Sequence, residues 1–211
     1  MSIKQKLTWA FAVIAGLPIV LVATLVVLNL RGEARDGFLD SSSREIRQVS
    51  NAMNIFFQGI NQNVEYLASQ PMIAATGNNL NKFMSANPSY ELGEQDKQVL
   101  EFFTRLADSH PGYAYLSYGV SDGGYVGWPA GQKFVNYDPR TRPWYQLAMA
   151  NPGKTLRTGA YYWAADDAVL VSTVRSLANQ LGPQGGVVAV DVSLKQLTEI
   201  VKQIKLGESG Y

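Results

Sequence analysis

Apolar positions along this chain change their spacing repeatedly, and each change marks an element. From Leu7 to Leu30 no charged residue occurs, with Lys4 and Lys6 before the run and Arg31 after it. At ~1.5 Å of rise per residue this run makes about 36 Å of helix, longer than the ~30 Å hydrocarbon core of a bilayer. Gly16 and Pro18 are tolerated in a membrane span, and Trp9 suits the interfacial aromatic belt. A cleaved signal peptide would need an apolar core of only ~7–15 residues and a small-x-small cleavage site. Here the run is too long, and Asn29-Leu30-Arg31-Gly32-Glu33 offers no such site. The expectation is an uncleaved anchor over 7–30, residues 1–6 cytoplasmic, and everything after it outside, because a long following domain is translocated regardless of charge.

Between Arg31 and Gln70 there is no Pro, and Ile46, Val49, Met53, Phe56, Ile60, Val64 and Leu67 recur in steps of three and four. That spacing predicts an amphipathic stalk helix over 31–70, ended by Pro71. The stripe serves either a parallel dimer or one side of a domain core, and both uses fit along one helix. Helical patterning continues over Met72–Ala86 and Gln95–Ser109, separated by Asn87-Pro88-Ser89. From Tyr113 the period becomes two: Tyr113–Val120 and Tyr125–Trp128 flank an Asp-Gly type turn and predict a hairpin. A Pro- and Arg-containing loop over 129–143 then feeds a short helix at Trp144–Ala150. Gly159–Ala164, Val169–Leu177 and Gly186–Val192 are three more strands, and Leu194–Leu206 a closing helix. The fold class is α+β: an N-terminal membrane helix, a long stalk helix and a five-stranded antiparallel sheet with flanking helices. Gly207-Glu-Ser-Gly-Tyr211 has the look of an element about to begin, as if the chain were a fragment or lacked a downstream half.

Composition narrows the function. With 18 Lys+Arg against 17 Asp+Glu, the net charge of +1 provides no field for a phosphate backbone, so no nucleic-acid partner is expected. The absence of Cys removes thiolate metal sites, disulfides and cysteine nucleophiles, and a single His removes histidine-rich metal sites. No nucleophile elbow, phosphate-cradling loop or His-Glu-x-x-His occurs. Asp166-Asp167 reads as turn chemistry and His110 as a helix-end residue, so neither an enzyme nor a cofactor is expected.

Two features remain. Tyr137-Asp-Pro-Arg-Thr-Arg-Pro-Trp-Tyr145 puts two arginines and three aromatics into one rigid loop, where Arg142 offers a planar fork of donors to a carboxylate. Asp191 lies inside the apolar run Val187–Val192, sharing a face with Val187 and Ala189. A buried Asp needs a partner: a ligand ammonium, an internal Arg or a backbone N–H. Tyr161, Tyr162 and Trp163 on the preceding strand add aromatic surface.

These residues resemble the extracytoplasmic double-Cache sensor region of bacterial transmembrane receptors, above all methyl-accepting chemotaxis proteins. The likeness covers the anchor, the stalk, the Asp-Pro-Arg-x-Arg-Pro-Trp-Tyr loop and the Val-Asp-Val strand. It implies a PAS-like, membrane-distal ligand-binding module over 71–206, with 207–211 starting a membrane-proximal one. In amino-acid-binding members, positions matching Arg142 and Trp144 hold the ligand carboxylate, while Tyr137, Tyr145 and Asp191 hold its amino group. Tyr161 matches the pocket tyrosine of the next strand. Where many relatives carry a second Asp, this chain has Trp163, which also suits an amine, including a methylated one, through cation–π contact. The resemblance therefore implies an amino-acid sensor of a chemotaxis receptor, homodimeric through the stalk and anchored in the inner membrane. An amine sensor, the input domain of a histidine kinase or cyclic-dinucleotide enzyme, and a structural membrane-anchored domain are the alternatives.

Overall fold

A computed structural model describes residues 2–77, 79–177 and 185–203; the expectations for residues 204–211, including the start of a further module, lie outside them. The structure divides at Asn51 into two compact units. The first is the N-terminal part of α1 (Ile3–Ser69), a single helix that contains both the predicted span and the predicted stalk. Pro18 sits inside it without ending it. Its apolar stretch is long enough to cross a membrane, and none of that stretch is buried within the structure.

The second unit begins at Ala52. Within it the helical stripe turns inward: Ile60, Val64 and Leu67 of α1 are buried, whereas Ile46 of the first unit is exposed. After Pro71 come α2 (Pro71–Ala75) and α3 (Glu94–Asp108). The helix expected over Met72–Ala86 is thus only its first turn. Gly77, at φ +52, ends it, because a left-handed backbone position costs Gly least. The chain beyond runs extended, with Lys82 bridging Gly124 and Phe83 bridging Tyr137.

Among the described residues the sheet has six strands, not five: β1 (Tyr115–Gly119), β2 (Tyr125–Trp128), β3 (Thr155–Arg157), β4 (Tyr161–Trp163), β5 (Ala168–Ser176) and β6 (Val187–Ser193). The unexpected strand is β3. Its three residues carry one apolar side chain, too short a pattern to show a period, and its place is set by pairing with β5. The order is β2-β1-β6-β5-β3 with β4 also on β5, and every pairing is antiparallel. Between β2 and β3 runs α4 (Pro143–Met149), and after β6 comes α5 (Leu194–Gln203).

Central strand β6 is buried on both faces, which is why it reads as an apolar run interrupted only by Asp191 before Ser193. Val188, Val190 and Val192 join Leu116 and Tyr118 in a core against α1 and α3, with Phe103 fully buried at its middle. Val187 and Ala189 face the other way, into an aromatic cluster with Tyr125, Tyr137, Trp144 and Tyr145. Asp191 follows on that second face.

Candidate functional site

The loop before α4 is held by its own polar groups. Asp138 accepts from the Arg140 backbone N–H and from its Nε, both at 2.9 Å, and from Nη2 at 2.7 Å. Those bonds hold the Asp138 carboxyl below its usual range. Thr141 Oγ1 donates to the Asp138 carbonyl at 2.8 Å, and buried Pro139 fixes the intervening turn. Of the two arginines, Arg140 is therefore committed to the loop. Arg142 sits extended at φ −86, ψ 146, the conformation required before Pro143, which opens α4.

The Arg142 guanidinium lies 4.5 Å from the centroid of the Tyr137 ring and 5.8 Å from that of Trp163. These are cation–π distances. Its Nε–H is buried without a hydrogen-bond partner, and so is the indole N–H of Trp163. Phe134 packs 4.6 Å from Tyr137 and 6.2 Å from Trp163, which closes the aromatic wall. Burial raises the Tyr137 phenol well above its usual value, against the nearby Arg142 charge and a hydrogen bond from Trp144.

Asp191 sits across from Tyr115 on β1 and from Ser172 on β5. The Ser172 hydroxyl donates to Asp191 Oδ1, and the Tyr161 hydroxyl lies 2.8 Å from Ser172 Oγ and donates to it. Burial pushes the Asp191 carboxyl up to about 7, with the Ser172 bond pulling the other way. Among the described residues Asp191 and Arg142 form no ion pair. The carboxylate is met by the Ser172 hydroxyl, itself bonded to Tyr161.

These groups surround a chamber of about 10 Å³, room for roughly one water. Of the residues expected from the sequence, Tyr137, Trp144, Tyr161, Trp163 and Asp191 line it. Arg142 stands beside it over the Tyr137 ring. Tyr145 is buried behind Trp144, ring centroids 5.6 Å apart, its phenol pushed up to about 12 by burial. Sequence reasoning missed Gln132, Tyr115, Ser117 and Tyr125, which also line the chamber, and Ser172, which holds Asp191. Only the strand register, Ser172 opposite Asp191, reveals the last of these. His110 is a structural residue: Asn63 donates to its Nε2 at 2.9 Å and its Nδ1 lies 2.9 Å from the Leu106 carbonyl.

No protein-family model matches the chain. Sequence comparison finds methyl-accepting chemotaxis protein McpB of Bacillus subtilis, 37% identical over 115 residues, covering 54% of this chain and 17% of that protein. It also finds methyl-accepting chemotaxis protein PctB of Pseudomonas aeruginosa, 38% identical over 99 residues, covering 47% of this chain and 15% of that protein. Homologues of this chain are methyl-accepting chemotaxis proteins. The chain spans less than a fifth of the length of these two relatives. Among solved structures, the ligand-binding domain of the Pseudomonas aeruginosa amino acid chemoreceptor PctB, in complex with L-Arg, matches with a TM-score of 0.52 at 27% identity. That match covers 72% of this chain and 56% of the other, and the antiparallel sheet with flanking helices is the shared architecture.

Proposed function

We propose that this chain is the extracytoplasmic ligand-binding part of a chemotaxis receptor and that its chamber takes an amino acid. The observation that carries the reading is one buried carboxylate, Asp191, with an unpartnered buried Arg142 Nε across the same aromatic wall. A buried carboxylate and an arginine with an unused buried N–H, not paired with each other, fit the two ends of a zwitterion. In this reading Asp191, with Tyr137, receives the ammonium group, Arg142 and Trp144 receive the carboxylate, and Tyr145 supports the wall from behind Trp144. The 10 Å³ chamber is too small for any amino acid, so binding requires the aromatic wall to open. The domain is non-catalytic, takes no cofactor and reports occupancy by shifting a conformational equilibrium.

The anchor over 7–30, the stalk over 31–70 and the sensor module over 71–206 complete the proposal. The protein is membrane-anchored with the sensor module outside, and exposed Ile46 and Ile55 on α1 fit a homodimer contact along the stalk.

A second reading, an amine or methylated amine, is favoured by one observation: Trp163, not a second carboxylate, borders the chamber. Isothermal calorimetry separates the two, starting from a thermal-shift screen of amino acids and amines. Asp191→Ala abolishes binding in both readings. Arg142→Ala weakens an amino acid at least tenfold and leaves a simple amine within about twofold. Unchanged affinity in Asp191→Ala overturns the site.

A further inference from the structure

The closed chamber has an open neighbour. A groove of about 610 Å³ lies between the β4–β5 turn and α5, lined by Asp166, Ala168, Ser193 and Gln196 among others. Among the described residues, Tyr115 is common to the linings of groove and chamber. Its backbone is fixed, because β1 pairs with β6 at Asp191 and the neighbouring Ala114 N–H donates to the Asp191 carbonyl at 2.7 Å. Its ring stands edge-on to Trp163, centroids 6.4 Å apart, and its hydroxyl donates to Asp166 Oδ2.

The other half of that bond is far less anchored. Asp166 sits in the turn after β4, a three-residue strand paired to β5 alone. Tyr162 braces the turn internally by donating to Asp167 Oδ1 at 2.9 Å, so the hairpin tip has its own stiffness. The same short strand carries Tyr161 and Trp163, both walls of the chamber. Releasing Asp166 therefore frees the element that holds Trp163 over the cavity.

We propose that Tyr115 and Asp166 form the latch of the chamber, and that the ligand passes from the groove past Tyr115 to reach Asp191. This rests on the chamber being the ligand site. Tyr115 and Asp166 act as positioning residues, holding Trp163 closed, and they leave the ligand's charged ends to other groups. Since α5 forms the far wall of the groove through Gln196 and Glu199, the gate opens beside the last described helix.

The test needs no ligand, because the chain has no cysteine and a single introduced thiol reports access. In the full chain held in mild detergent, Ser117→Cys places a thiol in the chamber, and 2-aminoethyl methanethiosulfonate is the probe, with labelling followed by intact mass. The expected result is that Tyr115→Phe and Asp166→Asn each speed labelling by about tenfold, as loss of a charge-assisted hydrogen bond allows. The double variant is no faster than either, since both remove one bond. Ala107→Cys, in the core against α1 and α3, serves as the control and stays at its original rate. The latch is overturned if neither variant changes the Ser117→Cys rate, if Phe134→Ala speeds labelling while they do not, or if Ala107→Cys accelerates equally. A failed latch leaves the Asp191 assignment standing. A working latch with unchanged ligand affinity in Asp191→Ala sinks the assignment alone.

Discussion

Asp191 pays for its position in a way that pH exposes. The folded-state value of about 7 lies above the ~3.9 of an unfolded Asp, so the native state holds a proton that the unfolded chain has already released between these limits. Stability from this group is therefore fully present below about pH 4 and declines as pH rises through 7, by about 4 kcal/mol at most. Asp191→Asn retains an oxygen to accept from Ser172 and has nothing to ionise. Urea denaturation should find the two proteins similar at pH 4.5 and the Asn variant clearly more stable at pH 8. An offset that stays constant with pH would mean that Asp191 does not titrate in this range. A cationic ligand head reverses the cost, since it needs the ionised form. The candidate site's residue types stood out because a loop rich in Arg and aromatics and an Asp in a Val run are both anomalous. Ser172 was not legible, since a hydroxyl in an alternating strand is ordinary until the register puts it opposite Asp191.

At the scale of elements, the site depends on how closely the loop before α4 approaches the end of β1. A Cβ added at Gly119 would lie 2.9 Å from Pro139 Cβ and 3.0 Å from Trp144 Cη2. Both neighbours are rings with nowhere to rotate, Pro139 in its turn and Trp144 in the aromatic cluster. Gly119→Ala must therefore push the loop outward, at about 1–3 kcal/mol for overpacking. Chemical denaturation should record that loss, and near-ultraviolet circular dichroism should change as Trp144 shifts. A variant with unaltered stability and spectrum would show that the loop yields freely. Strand identity was readable wherever alternation or an apolar run extended over several residues, as in β1 for the first and β6 for the second. It failed for β3 and for the stretch after Pro71, where β5 pairing in one case and the Gly77 turn in the other override a local pattern. The 10 Å³ chamber was beyond sequence for a related reason: its volume depends on how Phe134, Tyr137 and Trp163 pack, and no spacing encodes ring orientation.

For the whole molecule the decisive question is topology. The N-terminal unit exposes an apolar helical surface that water would not tolerate on a soluble protein, with Leu17, Leu21, Leu25 and Leu28 all outward. Buried in a bilayer, the same residues become the anchor; Lys4 and Lys6 balance Arg31 and Arg35, so the side on which the following domain emerges is set by translocation of that long domain. Alkaline phosphatase folds only where its disulfides form, so it reports the outer side of the membrane, and the cysteine-free chain cannot interfere with its pairing. Fused after residue 203 in a bacterial host with a periplasm, the reporter should be active, while β-galactosidase at the same junction should be inactive. Changing Lys4 and Lys6 to Gln leaves the basic residues flanking the span only on its far side. Phosphatase activity should then fall several-fold as part of the population inverts. An inactive phosphatase with an active β-galactosidase in the unaltered chain would put the chamber in the cytoplasm and end its reading as an extracellular sensor, whatever ligand it binds.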